Sequence, residues 1–575
     1  MNFTMDNSHY ISKITTYRRE LNRVYRSLSP EKVLTFSLLI VASIAFFFAA
    51  LVVFNQRFLI TEPTYGGAIN EGIIGTPRFI NPVLATGEQD RDLTSLIFAG
   101  LTKHNKDSAV ILDMAESILK SDDGLRYTAK LKNAATFHDG QKVTADDIMY
   151  TIGITQNPFI KSPHRVEWEG ITVEKDNDYQ VTFILKKPFP LFMETLSLGI
   201  LPKHVWKNLT EDQISLSDFN IHAIGSGPYA IKTIITQSGI PVTFTLEANK
   251  HYTLGRPYVQ TLTILTYPNE KTLLRAFSDG DITRMHGISP EKVTTLNLAT
   301  SSIKTSLLPR TFAIFFNPNK SLPLADKNVR AALQMAIDKQ AIVDRVLFNY
   351  GKVISTPYPF DTEGVPSEYN LEKARELLTK TKAIKNASST FDITLATANT
   401  DEMKKVAEMI KVDWAKIGVN ATISVYEVSD LNQNIIKDRN FQALLFGAIT
   451  QSPSDLYAFW HSSQRSYPGL NISNYVSKDL DEHLETLRSS SDVQERITAY
   501  DAVRKEFTDE APGIFLFAPS LIYIINDKNN STLPLYSYDS SSRFMLVESW
   551  YRYTDQVWPK AYYKPLLEMI ENIIH

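Results

Sequence analysis

The sequence predicts an α/β protein of several lobes standing behind one N-terminal transmembrane helix. Three observations carry this reading. Val33–Phe54 (VLTFSLLIVASIAFFFAALVVF) lies in a charge-free interval between Lys32 and Arg57. Strand and helix patterns are mixed through the rest of the chain, without a regular βα alternation. The 575 residues, 43% of them hydrophobic, supply core for more than one domain.

The apolar stretch comes first. At 1.5 Å per residue, its 22 residues make a helix of about 33 Å, against a hydrocarbon core of about 30 Å. A buried core helix would normally show a polar stripe, and this one has none. Residues 1–32 hold Lys13, Arg18, Arg19, Arg23, Arg26 and Lys32 against Asp6, Glu20 and Glu31. The positive-inside rule therefore puts the N-terminus in the cytoplasm and the body outside. Ser29-Pro30 suits a helix start, a capping residue followed by proline at the first helical position. Ile14, Tyr17, Leu21, Tyr25 and Leu28 recur at helical spacing, as in an amphipathic helix on the inner leaflet; a disordered basic tail is the alternative. The run exceeds a signal-peptide core of about 7–15 residues, and no small-residue cleavage site follows Phe54. With no cysteine in the chain, no lipid can be attached to one. An uncleaved, single-pass signal anchor is expected.

The lack of cysteine also excludes disulfides, thiolate metal sites and a cysteine nucleophile. The acidic balance of the body gives no basic footprint for nucleic acid. Along the body, Tyr127–Lys132 alternates like a half-buried strand, with Tyr127, Ala129 and Leu131 on one face. Asp139-Gly140 marks a turn. Thr144 and Asp147 form a capping-box-like start for a helix over about 145–155. Ile171–Glu174 and Tyr179–Leu185 read as a hairpin around Asp176-Asn177-Asp178. Helices are predicted over Val329–Ile337, over Lys339–Phe348 with Asp338 as cap, and over Leu371–Thr381 with Asn370 as cap. Met403, Val406, Ile410, Trp414 and Ile417 mark an amphipathic helix over Glu402–Ile417. Gly418 ends it, and Asn420–Val428 is the next strand.

Catalytic motifs are missing: there is no G-x-S-x-G, Walker loop, H-E-x-x-H or dinucleotide fingerprint. The 11 histidines are scattered singly. His138-Asp139 has the composition of an acid–base pair, but a turn after Phe137 explains it better. Asp146-Asp147 sits at a helix start, where carboxylates favour the dipole. The chain is rich in aromatics, with 6 Trp, 26 Tyr and 30 Phe. Tyr457, Phe459 and Trp460 follow the turn-rich Ser452-Pro453-Ser454-Asp455, as in a cleft that grips an apolar or peptide-like ligand.

Several blocks together resemble the family 5 extracellular solute-binding proteins, the dipeptide, oligopeptide and nickel-binding group of ABC importers. They are Gly66-Gly67 with Pro77-x-x-x-Asn81-Pro82; Phe137-His138-Asp139-Gly140 with Thr144-Ala145-Asp146-Asp147; and Gly225-Ser226-Gly227-Pro228-Tyr229. Val329-Arg330-x-Ala332-Leu333-x-x-Ala336-Ile337-Asp338-Lys339, Tyr369-Asn370-x-x-Lys373-Ala374-x-x-Leu377-Leu378, Ala407–Val419 and Glu510-Ala511-Pro512-x-Ile514 follow in the family's order.

The resemblance implies a periplasmic-binding-protein-like fold of type II, a three-lobed flytrap. Lobe I would comprise 65–97, 224–308 and 525–550, lobe II 98–223 and lobe III 309–524. Ahead of them stand a cytoplasmic segment 1–32, the anchor 33–54 and a tether 55–64. An extension over 551–575 follows, where Leu566, Leu567, Ile570 and Ile573 could form one face of a short helix. The protein would be a monomer that binds a peptide or other small solute, without a cofactor or catalysis, and delivers it to an ABC permease in the membrane. Peptide binders of this family carry an aspartate just before a D-P-D segment, where it holds the peptide's ammonium. Here the matching stretch is Gly447-Ala448-Ile449-Thr450-Gln451, followed by Ser452-Pro453-Ser454-Asp455, and no acid stands in that place. A buried ammonium must be paired, so Gln451 or Thr450 would serve a neutral ligand, or the acid comes from elsewhere. Gly447, Ala448, Thr450, Gln451 and Trp460 are the expected ligand-binding residues. The alternatives are a ligand sensor of the same fold without a permease, and a binder of a metal chelate or oligosaccharide.

Overall fold

The computed structural model describes residues 19, 23, 27, 29–296, 302–361, 368–381, 391–490, 492–527, 530–557 and 559. They divide into two compact units. One takes residues 1–64 and 554–575, the other Tyr65–Tyr553.

In the first unit the apolar stretch is a single helix, Pro30–Phe58, with proline in its first turn, Arg57 in its last and no buried residue. It is long and apolar enough to cross a membrane. The tether expected over 55–64 is instead the helix's last turn followed by a strand, Ile60–Thr64. That strand pairs with Tyr553–Val557. The amphipathic pattern Ile14–Leu28 and the apolar positions Leu566–Ile573 lie outside the described residues.

The large unit is organised by Gly513–Ile525, a strand buried along almost its whole length. Its sequence, GIFLFAPSLIYII, is a near-continuous apolar run, the pattern of a strand covered on both faces. Its first half pairs antiparallel with Arg310–Phe316 (Ile314 opposite Ile514). Its second half pairs with Arg284–His286 and Ser302–Leu307 (Met285 and Ile303 both opposite Ile524). On one side the sheet continues through Ala443–Ile449, Phe391–Ala398 and Val419–Tyr426; on the other through Ala68–Ile74, Thr261–Tyr267, Ile240–Ala248 and Tyr229–Gln237. A separate antiparallel sheet runs in the order Ala115–Lys120, Arg126–Leu131, Gln180–Ile184 and Thr172–Asn177. Distinct apolar cores follow these sheets. One holds Ile314, Leu333, Trp414, Trp460 and Phe515. A second holds Ile69, Ile97, Tyr229 and Trp550. A third holds Tyr127, Ile148, Phe183 and Phe192.

The local elements follow from their sequence signals. Tyr127, Ala129 and Leu131 are buried on one face of their strand. Thr144 and Asp147 close the capping box, with the Thr144 amide donating to Asp147 Oδ2 at 2.9 Å. The helix there runs Ala145–Gln156. Asp338 and Asn370 accept from the Ala341 and Lys373 amides, starting Lys339–Val346 and Leu371–Lys380. Asp401–Ala415 buries Met403, Val406, Ile410 and Trp414, and Gly418 turns the chain in the left-handed region at φ 83°.

Two long-range clasps join blocks far apart in sequence. His138 Nδ1 accepts the Gly225 amide at 3.3 Å, which leaves Nε2 protonated and donating to the Gly227 carbonyl at 3.1 Å. Arg330, buried, donates to the carbonyls of Leu324, Ala325, Glu510 and Ala511. A buried ionic network ties down the second core. Arg543 donates to Glu71 at 2.6 Å and to both oxygens of Asp92 at 2.7 Å, with all three side chains essentially inaccessible. His286 Nε2 lies 3.2 Å from Asp92, and Tyr523 donates to Glu71 at 2.7 Å. Arg284 pairs with Asp527 at 2.7 Å beneath the Trp550 ring. Burial alone would raise Asp92, but the charges of Arg543 and His286 hold it well below the usual carboxylate range.

Candidate ligand-binding site

The large unit contains a cleft of about 770 Å³, within the range of small-ligand sites of roughly 300–1,000 Å³. Segments distant in sequence line it. Pro82, Arg91 and Phe98 come from the first; His164, Glu167, Phe189 and Glu194 from the second; Gln451, Asp455 and Tyr457 from the third; Tyr538 and Asp539 from the last.

Local chemistry fixes these side chains. Asp455 ends a short 3₁₀ turn begun by Ser452 and Pro453. Its Oδ2 accepts the amides of Gln451 and Ser452, each at 2.9 Å. Tyr457 stacks on His461 at 4.2 Å, and the Arg488 guanidinium sits 4.4 Å from its ring centre. Arg91 pairs with Asp539 at 2.8 Å and His164 with Glu167 at 3.2 Å. His104 packs against Tyr538 with the rings tilted by 41° and their centres 4.4 Å apart; burial lowers its pKa to about 4, so the ring is neutral at ordinary pH. Glu194 stands on the short helix Phe192–Thr195. Burial, and then the charge of Asp455, push its carboxyl up to about 7. Burial also raises Asp455 itself.

Of the residues expected at the site, Gln451 lines the cleft. Gly447 and Ala448 lie in the strand Ala443–Ile449, opposite Phe312 and Thr311. Thr450 is buried just beyond that strand's end, and its amide donates to the Pro309 carbonyl at 2.9 Å. Trp460 is 1% exposed, packed against Phe315, Phe507 and Phe515 in the first core. Sequence reasoning missed Glu194, Arg91 and Tyr538. They reach the cleft from segments that carry none of the motifs, and no local pattern marks them.

The crossings beside the cleft are tight. Gly225 and Gly227 pass so close to Ile97 that a Cβ on Gly225 would lie 2.0 Å from the Ile97 carbonyl oxygen. The Gly227 amide donates to that same oxygen at 2.8 Å.

The family model for bacterial extracellular solute-binding proteins, family 5 Middle, matches residues 109–468. The chain belongs to this family. The family binds solutes and is not enzymatic, and the fold is that of the type II periplasmic binding proteins. Among curated relatives, the oligopeptide-binding protein AppA of Bacillus subtilis (strain 168) is 29% identical over 515 residues, covering 85% of this chain and 92% of that protein. The dipeptide-binding protein of Escherichia coli (strain K12) is 25% identical over 478 residues, covering 77% and 87%. The structure of the Bacillus subtilis AppA in complex with a nonapeptide aligns with a TM-score of 0.64 at 28% identity, covering 86% of this chain and all of that one. That of the ABC transporter substrate-binding protein CtaP from Listeria monocytogenes aligns with a TM-score of 0.74 at 24% identity, covering 85% and 100%, a likeness of fold.

Proposed function

We propose that the protein is a membrane-anchored extracytoplasmic receptor that captures peptides or peptide-like solutes and delivers them to an ABC importer. The observation that carries this reading is the cleft, assembled from four separated segments in a chain whose relatives include a nonapeptide-bound oligopeptide-binding protein. In this reading, 65–97, 224–308 and 525–550 form lobe I, 98–223 lobe II and 309–524 lobe III. The crossing at Ile97 and Gly225–Gly227 then lies at the boundary of lobes I and II. Ligand closes the lobes by preferring the closed form, and the shift is limited by that preference. Val33–Phe54 holds the receptor at the membrane, where tethering raises its effective concentration beside a permease.

Thermal shift with defined peptides of two to nine residues tests the ligand class. A ligand that binds the folded form alone at a hundred times its Kd stabilises by about 2.7 kcal/mol. Stabilisation by peptides is expected. Stabilisation by a nickel–histidine chelate or an oligosaccharide, with none by any peptide, would overturn the peptide assignment. N-terminal sequencing of the membrane fraction tests the anchor. A mature chain beginning after residue 54, recovered in the soluble fraction, would refute it.

A further inference from the structure

We propose that Glu194 and Asp455 form a cation subsite of the cleft, which takes an ammonium or guanidinium group of the bound peptide. The proposal rests on the peptide-binding reading above. Its ground is an imbalance of partners inside the cleft. The Glu194 carboxylate has no hydrogen-bond or ion-pair partner among the described residues. Asp455 uses Oδ2 for the Gln451 and Ser452 amides, and its Oδ1 accepts from no donor there. The basic side chains Arg91, Arg488 and His164 that line the cleft already have contacts of their own. Arg91 is paired with Asp539, Arg488 lies over Tyr457 and His164 is paired with Glu167. The other groups acting on the two carboxyls are Glu167, whose charge pushes Asp455 up further, and Tyr358 and Tyr538, phenols whose own ionisation is suppressed by burial and by the charge of Glu194.

A separate observation on the same wall asks for a ligand. His104 is 8% exposed and lines the cleft, yet its Nε2 finds no partner among the described residues. Buried polar atoms are satisfied in the great majority of cases, so a polar group of the occupant is the natural partner for this nitrogen.

The chemistry makes binding proton-linked. Burial, and then the negative charge of Asp455, favour the protonated form of Glu194. In the empty cleft Glu194 carries its proton to about pH 7. A cation entering the cleft favours the ionised pair and expels the proton. Affinity for cationic peptides therefore rises with pH up to that value and levels off above it for a lysine or arginine side chain, while for an α-ammonium it turns down again at about pH 8 as the amine loses its own proton. Below about pH 7, each pH unit weakens binding by up to tenfold. A ligand that places no cation there has no such slope. Glu194 and Asp455 belong to lobes II and III in the proposed division, so one cation would bridge both lobes and favour closure.

The test is calorimetry on the full-length protein in lipid nanodiscs, between pH 5 and 8. One set of matched peptides carries a free amine and a lysine, one is N-acetylated, and one has norleucine for lysine. The expected result is tighter binding of the cationic peptides and an affinity that falls as pH drops below 7. Release of about half a proton per ligand near pH 7, read from buffers of different ionisation heat, should accompany it. Glu194→Gln should abolish the slope and the proton release. Its thermal midpoint reports whether it folds, and the acetylated and norleucine peptides probe the site without altering the protein. Loss of the slope on acetylation assigns the α-ammonium, and loss with norleucine assigns the side chain. Peptides that bind equally well whatever their charge, with no pH slope, would overturn the subsite and leave the peptide reading standing. Binding of another solute class with no peptide binding would overturn both.

Discussion

Replacing Arg543 by methionine isolates the buried ionic network. The arginine donates to Glu71, to both oxygens of Asp92 and to the Ser540 carbonyl, at 2.6 to 2.8 Å, with no solvent access. Methionine keeps much of the aliphatic packing against Phe544, 4.1 Å from the guanidinium carbon, but strands two carboxylates. Breaking one side of a buried pair costs about 3–5 kcal/mol. The contacts that remain, Tyr523 on Glu71 and His286 on Asp92, keep the loss near that range and far from the cost of a bare buried ion. The unit Tyr65–Tyr553 unfolds with an entropy of roughly 1 kcal/mol/K, so each kcal/mol shifts the midpoint by about 1 °C, and the melting transition should fall by about 3–5 °C.

The pH dependence gives a second readout. In the native protein Asp92 is held below its unfolded value of 3.8, so its contribution is complete above that value and is lost as pH falls from there through the lower native value. In the variant, burial without Arg543 raises Asp92 instead. Folding then takes up a proton, and the variant gains stability as pH falls from 7 toward 5. Scanning calorimetry of wild type and variant at pH 7, 6 and 5 should show a gap that narrows with acid. A loss under 2 °C, or a gap constant across this range, would refute the reasoning.

Other perturbations have equally definite outcomes. Gly225→Ala puts a Cβ against the Ile97 carbonyl and should lower the urea midpoint by the equivalent of about 1–3 kcal/mol; an unchanged midpoint would mean the crossing relaxes freely. His138 is held neutral by burial, with its pKa lowered from 6.5 to about 4. The unfolded chain thus binds a proton that the folded one refuses, and stability, full above about pH 6.5, declines as pH falls toward 4. His138→Asn should flatten that decline in equilibrium unfolding curves. Trp460→Ala empties a fully buried aromatic site and should cost about 3–5 kcal/mol. A drop in peptide affinity with no loss of stability would place that ring in the site instead of the core.

What could be read from sequence was whatever acts over one or two turns of chain. Thr144 with Asp147, Asp338 and Asn370 announced helix starts because capping is a three-residue event. The spacing from Met403 to Trp414 announced a buried face because helical periodicity is local. The strand Gly513–Ile525 carried a visible apolar run, yet the reading stopped at the short block around Pro512. The cleft was legible at Gln451 and in the Ser452–Asp455 turn that leads into it. Glu194 had no local signal: it lines the same cleft as Asp455, and only tertiary structure brings their two segments together. Likewise, His138 looked like a turn residue, and the turn is real. Its clasp on Gly225 and Gly227 depends on a crossing 87 residues away.

The ionic network also sets an order of events in the life of each chain. Asp92 and Glu71 are made 451 and 472 residues before the arginine that neutralises them. At roughly 5–20 residues per second, synthesis leaves Asp92 waiting about 20–90 s. Until then the second core has two carboxylates without their arginine, and closing it around them is disfavoured by the cost of a broken buried pair. Closure of that core is therefore most favourable once residue 543 has been made. A chain broken off before residue 543 lacks the arginine partner of both carboxylates, and its second core is expected to be less stable for that reason.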